Sequence, residues 1–526
     1  MRHLLFTLGL TLSSSAWAAD PSCPEAIYPA EAWEPAEVAA PEDAVASLSA
    51  FAFPDTMDDP ERRGTRTDGL LVLHGQQVLF EDYGRDWTSD MTHLQWSATK
   101  TVSMLLTAIA VREGLLDIDA SICDLATISN PEACAVTIRD LMEFGSGFAW
   151  RETYEGMSPT ASSVIGMLFG AGKSDVIPFV TNHPMRDVPG TSYQYSTGDS
   201  SLMLAIVGDL LAKKHGPNYP WKLLFEPLRI TSAVFESDAA GHFMGGSYLY
   251  LTPRDMARIG LLLHTDGCWN GERLIPEGWL AKAKTPAPNL AGRRVQSTEG
   301  ALPGWNLWLN QHVAPYNSEL PYSEASESAY YAAGHWGQFI FVLPEHDLII
   351  ARTGDDRVDR MDRNELFRLA KALIPTASTD ESTGEAMSES DAEATEAPSE
   401  IPEEARANEE APGTQEVTTP PAAPIERWLD KNPRSPSADA GAAEPPEKYT
   451  VGLLRIASSF AAKEACSCRY VSGRSEEACL AYIKVSPNVA RAHFKKDGTV
   501  VAKSLGMGRV TAKYIDEANG CRVISK

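Results

Sequence analysis

The chain has 526 residues, 43% of them hydrophobic and 22% charged, with a formal net charge of −25. That length accommodates more than one domain and a large core. So acidic a chain is not a nucleic-acid binder by default, and eight cysteines point to disulfides in an oxidising compartment.

Arg2, the apolar stretch Leu4 to Leu12 and Ala16-Trp17-Ala18-Ala19 carry the three regions of a secretory signal over residues 1–19. A periplasmic or secreted protein is expected, since no later run has the ~18 apolar residues of a membrane span. Residues 20–60 read as a Pro-rich lead-in and 61–376 as one folded domain. That domain opens with Gly69-Leu-Leu-Val-Leu-His-Gly-Gln-Gln-Val-Leu-Phe-Glu, two strands turning at Gly75-Gln76. A helix starts near Ser97, carries Val102, Met104, Leu105, Leu106, Ala108 and Ile109, and stops before Gly114. Thr137-Ile-Arg-Asp-Leu-Met is a second short helix, 155–190 mix helix and loop, and Ser200 to Leu211 is an apolar helix. Thr252-Pro-Arg-Asp opens a capped helix. Gln338 to Leu343 and Leu348-Ile-Ile-Ala-Arg form a late hairpin around Pro344-Glu-His-Asp, followed by a helix from Arg363 to Leu373. Strands at both ends with helices between them predict an α+β fold, one antiparallel sheet assembled from both termini of the domain around a helical insertion.

Beyond this domain the composition shifts. Residues 377–447 are rich in Ala, Pro, Glu, Ser and Thr, and 380–447 carry 18 Asp/Glu against 4 Lys/Arg. Such a segment buries too little to order itself and reads as a self-repelling tether. Residues 448–526 regain aromatic and aliphatic content, carry 14 Lys/Arg against 6 Asp/Glu, and hold four cysteines, as a small disulfide-stapled module would. Cys123 and Cys134 bracket a short loop and form a plausible local bridge, leaving Cys23 and Cys268 as a second pair. Cys466 and Cys468 stand too close to pair with each other, so two connectivities with Cys479 and Cys521 stay open.

Three stretches carry chemistry. In Ser97-Ala98-Thr99-Lys100 a helix would place hydroxyl and amine one turn apart, the separation a nucleophile and its base require. An ordinary lysine, pKa about 10.4, is protonated at neutral pH, but burial against the apolar face would favour the neutral amine. The Ser97 N–H lies at the helix start, where it would donate to an oxyanion. Tyr193-Gln-Tyr195-Ser-Thr197-Gly-Asp199 sets a phenol on a loop before a helix, placed to relay a proton. Ala333-Gly334-His335-Trp336-Gly337-Gln338 opens the late hairpin; Gly337 would admit a substrate backbone and the Gln338 N–H would be the second oxyanion donor.

In this order the three stretches resemble the active-site elements of the serine β-lactamase and penicillin-binding-protein superfamily, over roughly residues 60–375. Thr137-Ile-Arg-Asp-Leu-Met-Glu-Phe-Gly-Ser-Gly, Pro189-Gly-Thr and Gly246-Ser-Tyr-Leu-Tyr-Leu-Thr-Pro-Arg-Asp-Met-Ala-Arg-Ile-Gly are similar to the class C branch. Trp150-Arg-Glu-Thr-Tyr154 and Tyr195-Ser-Thr-Gly-Asp-Ser are most similar to its 6-aminohexanoate-dimer hydrolase and esterase-like group. The resemblance implies a β-lactamase/transpeptidase-like fold and cofactor-free acyl transfer: Ser97 as nucleophile, Lys100 with Tyr195 as base and acid, the Ser97 and Gln338 N–H groups as oxyanion hole. His335, Gly337, Thr197 and Tyr154 would contact substrate. Many β-lactamases have Lys where His335 stands and Asn where Thr197 stands, so the resemblance points to an ester or amide substrate rather than a β-lactam. His-x-Gly also occurs in relatives acting on D-alanyl peptides, which keeps a D-alanyl peptidase or transpeptidase-like cell-wall enzyme as the alternative.

Other signals are weaker. There is no Gly-x-Ser-x-Gly elbow, and Gly166 with Gly172-Lys173-Ser174 misses phosphate-loop spacing by one residue. No zinc-helix histidine pair and no Asp-rich calcium loop are present, so no metal or organic cofactor is expected. A rival of another class is an inert hydrolase fold whose basic module contacts an envelope polymer.

Overall fold

The computed structural model describes residues 23, 33, 38–55, 62–154, 159–292, 301–314, 316–375, 452–484 and 489–524. The leader expected at 1–19 and the acidic segment at 377–447 lie outside them. Among the described residues no helix is long and apolar enough to cross a membrane.

The two expected hairpins meet in one sheet. Strands β1 (Thr67–His74), β2 (Gln77–Tyr83), β3 (Leu302–Pro303), β4 (Trp308–Leu309), β5 (Tyr330–Gly334), β6 (Gln338–Leu343) and β7 (Leu348–Gly354) are antiparallel in the order β2-β1-β7-β6-β5-β4-β3. The first strand thus lies beside the last, with Leu70 opposite Arg352 and Val72 opposite Ile350. Side chains alternate between two cores, as the two-residue period of a strand requires. Leu71, Leu73, Ile340, Val342, Ile349 and Ala351 face the larger core, while Leu70, Val72, Phe339, Phe341, Leu348 and Ile350 face the smaller. Burial on both faces explains why β1 reads as an unbroken apolar run.

Helices cover both faces. Helix α1 (Glu42–Ala52) and α5 (Arg363–Ala372) pack together over the smaller core; α2 (Thr99–Arg112), α3 (Thr197–His215) and α4 (Pro253–His264) lie in the larger, α4 directly against β6 and β7. Helix α1 lies within the Pro-rich lead-in expected at 20–60. Ala44, Leu48 and Ala52, four residues apart, form its buried stripe.

Past the acidic segment, α6 (Leu453–Tyr470) and α7 (Glu476–Tyr482) pack with a four-stranded sheet, β8 (Ala490–Phe494), β9 (Thr499–Ser504), β10 (Met507–Asp516) and β11 (Gly520–Val523), in sequential order. Cys466–Cys521 and Cys468–Cys479 tie this module, choosing one of the two open connectivities, and Cys23–Cys268 and Cys123–Cys134 pair as expected. Almost the whole run Ser458–Cys468 of α6 is buried, because the helix lies between its own sheet and the preceding domain. The seam is polar and hidden. Glu236, fully buried, accepts from Lys463 Nζ, from Ser467 Oγ at 2.7 Å and from the Cys521 N–H at 2.7 Å. Phe169 and Phe460 meet edge to face beside it, centroids 5.2 Å apart.

Candidate active site

Ser97 lies in a 3-10 turn, Trp96–Ala98, that runs directly into α2. The expected one-turn offset holds: Lys100 Nζ donates to Ser97 Oγ at 2.9 Å. The same ammonium also donates to Thr197 Oγ1 and to the Gly246 carbonyl, each at 2.9 Å. All three acceptors are uncharged. Burial therefore dominates and lowers the Lys100 pKa to about 8, with the Glu152 carboxylate pulling the other way. A neutral amine is accessible near physiological pH.

Tyr195 comes from the loop before α3, whose Ser196 cap accepts from the Asp199 N–H at 2.9 Å and fixes where the helix begins. Its hydroxyl is hydrogen-bonded to Ser97, and its ring centroid lies 4.9 Å from Lys100 Nζ. Burial first, then the Glu152 charge, push its phenol well above the ordinary tyrosine value, so it stands as a neutral O–H. Phe144 and Trp308 enclose the ring, with centroids 5.0 and 5.6 Å away. Burial also raises the Asp199 carboxyl, to about 7; hydrogen bonds from Ser196 and Ser146 act against that rise.

The late hairpin closes the third side. Gly334 at the end of β5 lies so near the Ser97 turn that a Cβ there would come 2.1 Å from the Gln95 carbonyl oxygen, so only glycine lets the sheet reach the nucleophile. Gly337 has another reason. Its φ is +97°, and a Cβ would strike the Arg352 guanidinium at 2.2 Å and the Asp356 carboxylate at 2.8 Å. Its missing side chain thus makes room for that buried ion pair. The Gln338 side chain is likewise structural, donating to the His335 and Gly354 carbonyls at 3.0 and 2.7 Å, which leaves its N–H as the group with an oxyanion assignment.

Thr197, expected among the substrate contacts, has its hydroxyl committed: it accepts from Lys100 and donates to Glu152. Sequence reasoning passed over Glu152. That carboxylate also accepts from the Thr197 N–H at 2.9 Å and from Trp150 Nε1 at 2.6 Å, so it orients the threonine that faces the lysine. No local pattern marks it, because all its partners but Trp150 are distant in sequence. His335 and Tyr154 do come together, stacked with centroids 4.7 Å apart, and both pack edge-on against Trp96 next to the nucleophile.

A cleft lined by Ser97, Lys100, Phe144, Tyr195, Pro303, Asn306, Leu307, Trp308 and Ala333 opens on these groups. Its walls are mostly apolar, and Lys100 is the one charged residue among those lining it. Three aromatic residues around the site, Trp96, Phe144 and Trp336, hold positive φ angles of 47°, 53° and 62°. Such backbone costs of order 1–3 kcal/mol each and persists where packing over-determines it.

This geometry has a family. The family model described as Beta-lactamase matches residues 52–372. The chain belongs to the beta-lactamase family. This beta-lactamase-family chain is 24% identical over 269 residues to 6-aminohexanoate-dimer hydrolase from Paenarthrobacter ureafaciens, across 48% of the chain and 66%, just under two thirds, of that relative. Among solved structures it is similar to a penicillin-binding protein homologue from Caulobacter crescentus, at 15% identity and TM-score 0.44 over 64% of this chain and 98% of that one. It is also similar to a beta-lactamase from Mycobacterium bovis, at 18% identity and TM-score 0.42 over 63% and 97%.

Proposed function

We propose that this beta-lactamase-family chain is a serine hydrolase that cleaves an ester or amide through an acyl-enzyme on Ser97. The observation that carries the reading is the buried Lys100 amine, 2.9 Å from Ser97 Oγ and hydrogen-bonded only to uncharged acceptors. Neutral Lys100 takes the hydroxyl proton as Ser97 attacks the carbonyl carbon, and the Ser97 and Gln338 N–H groups hold the oxyanion. The proton passes to the leaving oxygen or nitrogen through the neutral Tyr195 phenol, which regains its own from Lys100. Water then attacks the acyl-enzyme by the same route in reverse and frees Ser97. No cofactor enters these steps.

The substrate reading follows from the cleft. Among the described residues that line it, Lys100 is the one cation and is already committed, which favours a neutral acyl group over a β-lactam or a D-alanyl terminus. The relative's name adds 6-aminohexanoate dimer to the candidates. The disulfides and the leader expected at 1–19 support export.

The test is a panel of p-nitrophenyl esters, 6-aminohexanoate oligomers, nitrocefin and D-alanyl peptides, with active-site labelling by a fluorophosphonate. Ester or amide turnover and labelling are expected, both abolished in Ser97→Ala. Labelling or turnover that survives this substitution overturns the reading.

A further inference from the structure

The C-terminal module touches the site at two separate places. At the first, the Arg357 guanidinium lies 3.9 Å from the Trp336 ring centroid and 5.0 Å from that of Tyr482, the last residue of α7. Arg357 Nη2 donates to the Tyr482 carbonyl at 3.1 Å, its Nε to Asp355 at 2.7 Å, and the Tyr482 ring meets Trp336 edge-on with centroids 6.3 Å apart. Trp336 in turn packs on Trp96 at 5.4 Å and on His335 at 4.6 Å. At the second, α6 packs against Pro159–Ala161 and Ser163–Phe169, the segment that follows Tyr154 in the chain. Trp336, one residue of the aromatic rim Trp96, Tyr154, His335 and Trp336, is therefore backed by Arg357 and by Tyr482, and Tyr482 is a residue the hydrolase domain does not supply.

Trp336 has reason to need that support. It sits at φ 62° on a two-strand turn, a conformation that costs a bulky L-residue energy and reverts unless packing holds it. Arg357, close over the Trp336 ring and bonded to the Tyr482 carbonyl, ties the indole to the end of α7.

Resting on the proposed acyl-enzyme site, we infer that the module is a substrate-selecting element, with Tyr482 and Arg357 as positioning residues that fix Trp336. They set the affinity for extended apolar acyl chains lying along the rim, while the Ser97, Lys100 and Tyr195 chemistry stays independent of them.

The experiment uses the full chain and two probes that share a leaving group, p-nitrophenyl acetate and p-nitrophenyl octanoate. In Tyr482→Ala the octanoate KM rises about ten-fold while kcat and KM for acetate stay within two-fold, and Tyr482→Phe, which keeps the ring, restores the octanoate KM. Arg357→Lys, which keeps the charge toward Asp355 but loses the planar stack, serves as the second variant should Tyr482→Ala fail to fold, with the same split expected. An octanoate-to-acetate KM ratio unchanged in folded variants, or equal losses on both esters, overturns the inference and leaves the acyl-enzyme reading intact. Turnover that survives Ser97→Ala overturns both.

Discussion

Among the described residues two lysines are buried, and their surroundings separate the proposed chemistry from architecture. Lys100 is 2% exposed and meets a serine hydroxyl, a threonine hydroxyl and a carbonyl; Lys463 is 4% exposed and meets the carboxylate of Glu236. Around Lys100 the nearest carboxylate, Glu152, is held one residue away, behind Thr197. Desolvation without a directly bound counter-charge lowers the Lys100 pKa, as the proposed base requires. Direct contact with a carboxylate makes the other lysine a clamp between two parts of one chain, 227 residues apart in sequence.

The largest effect that would break this comparison is loss of the base. Lys100→Met should leave the fold intact, since the site is buried and methionine is of similar length, yet lower ester turnover by about 10³-fold or more, as removing one member of a cooperating pair does. Near-normal turnover in that variant would mean that burial of Lys100 is structural. Next comes the clamp. Glu236→Gln strands the Lys463 charge in the seam and should cost about 3–5 kcal/mol in urea unfolding. Acetate ester turnover by the folded protein should be unaffected, and a loss below 1 kcal/mol would show the seam to be dispensable.

The smallest effect sharpens the first lysine alone. Because Lys100 must be unprotonated to accept the Ser97 proton, kcat/KM should rise with pH and level off above about 8. The Glu152 charge favours the protonated amine, so removing it in Glu152→Gln should move this limb to lower pH. A limb that stays in place, or moves up, would assign the titration to another group.

Much of the catalytic arrangement is legible locally. A nucleophile and base three residues apart, a capped helix after Tyr195 and the glycines of the late hairpin each leave a short-range signature, because a helical turn or a tight approach restricts which residues fit. Glu152 leaves none. Its role exists only once α3 brings Thr197 beside Lys100, and an isolated glutamate between Arg151 and Thr153 looks like surface. Gly337 carried a second constraint that no local pattern shows: a Cβ there would meet Arg352 and Asp356, residues brought beside it only by the fold.

Sequence by itself determined the two hairpins that meet in the seven-stranded sheet, the helix that presents Ser97 and Lys100 together, and the two groups of cysteines, since each depends on short-range patterns or on covalent pairing. Tertiary structure alone decided that Lys100 would meet only neutral acceptors, that Thr197 would serve the lysine, and that the basic module would lie against the hydrolase through Glu236 and Trp336. Those outcomes rest on desolvation and on contacts between residues far apart in the chain, and neither exists until the chain is folded.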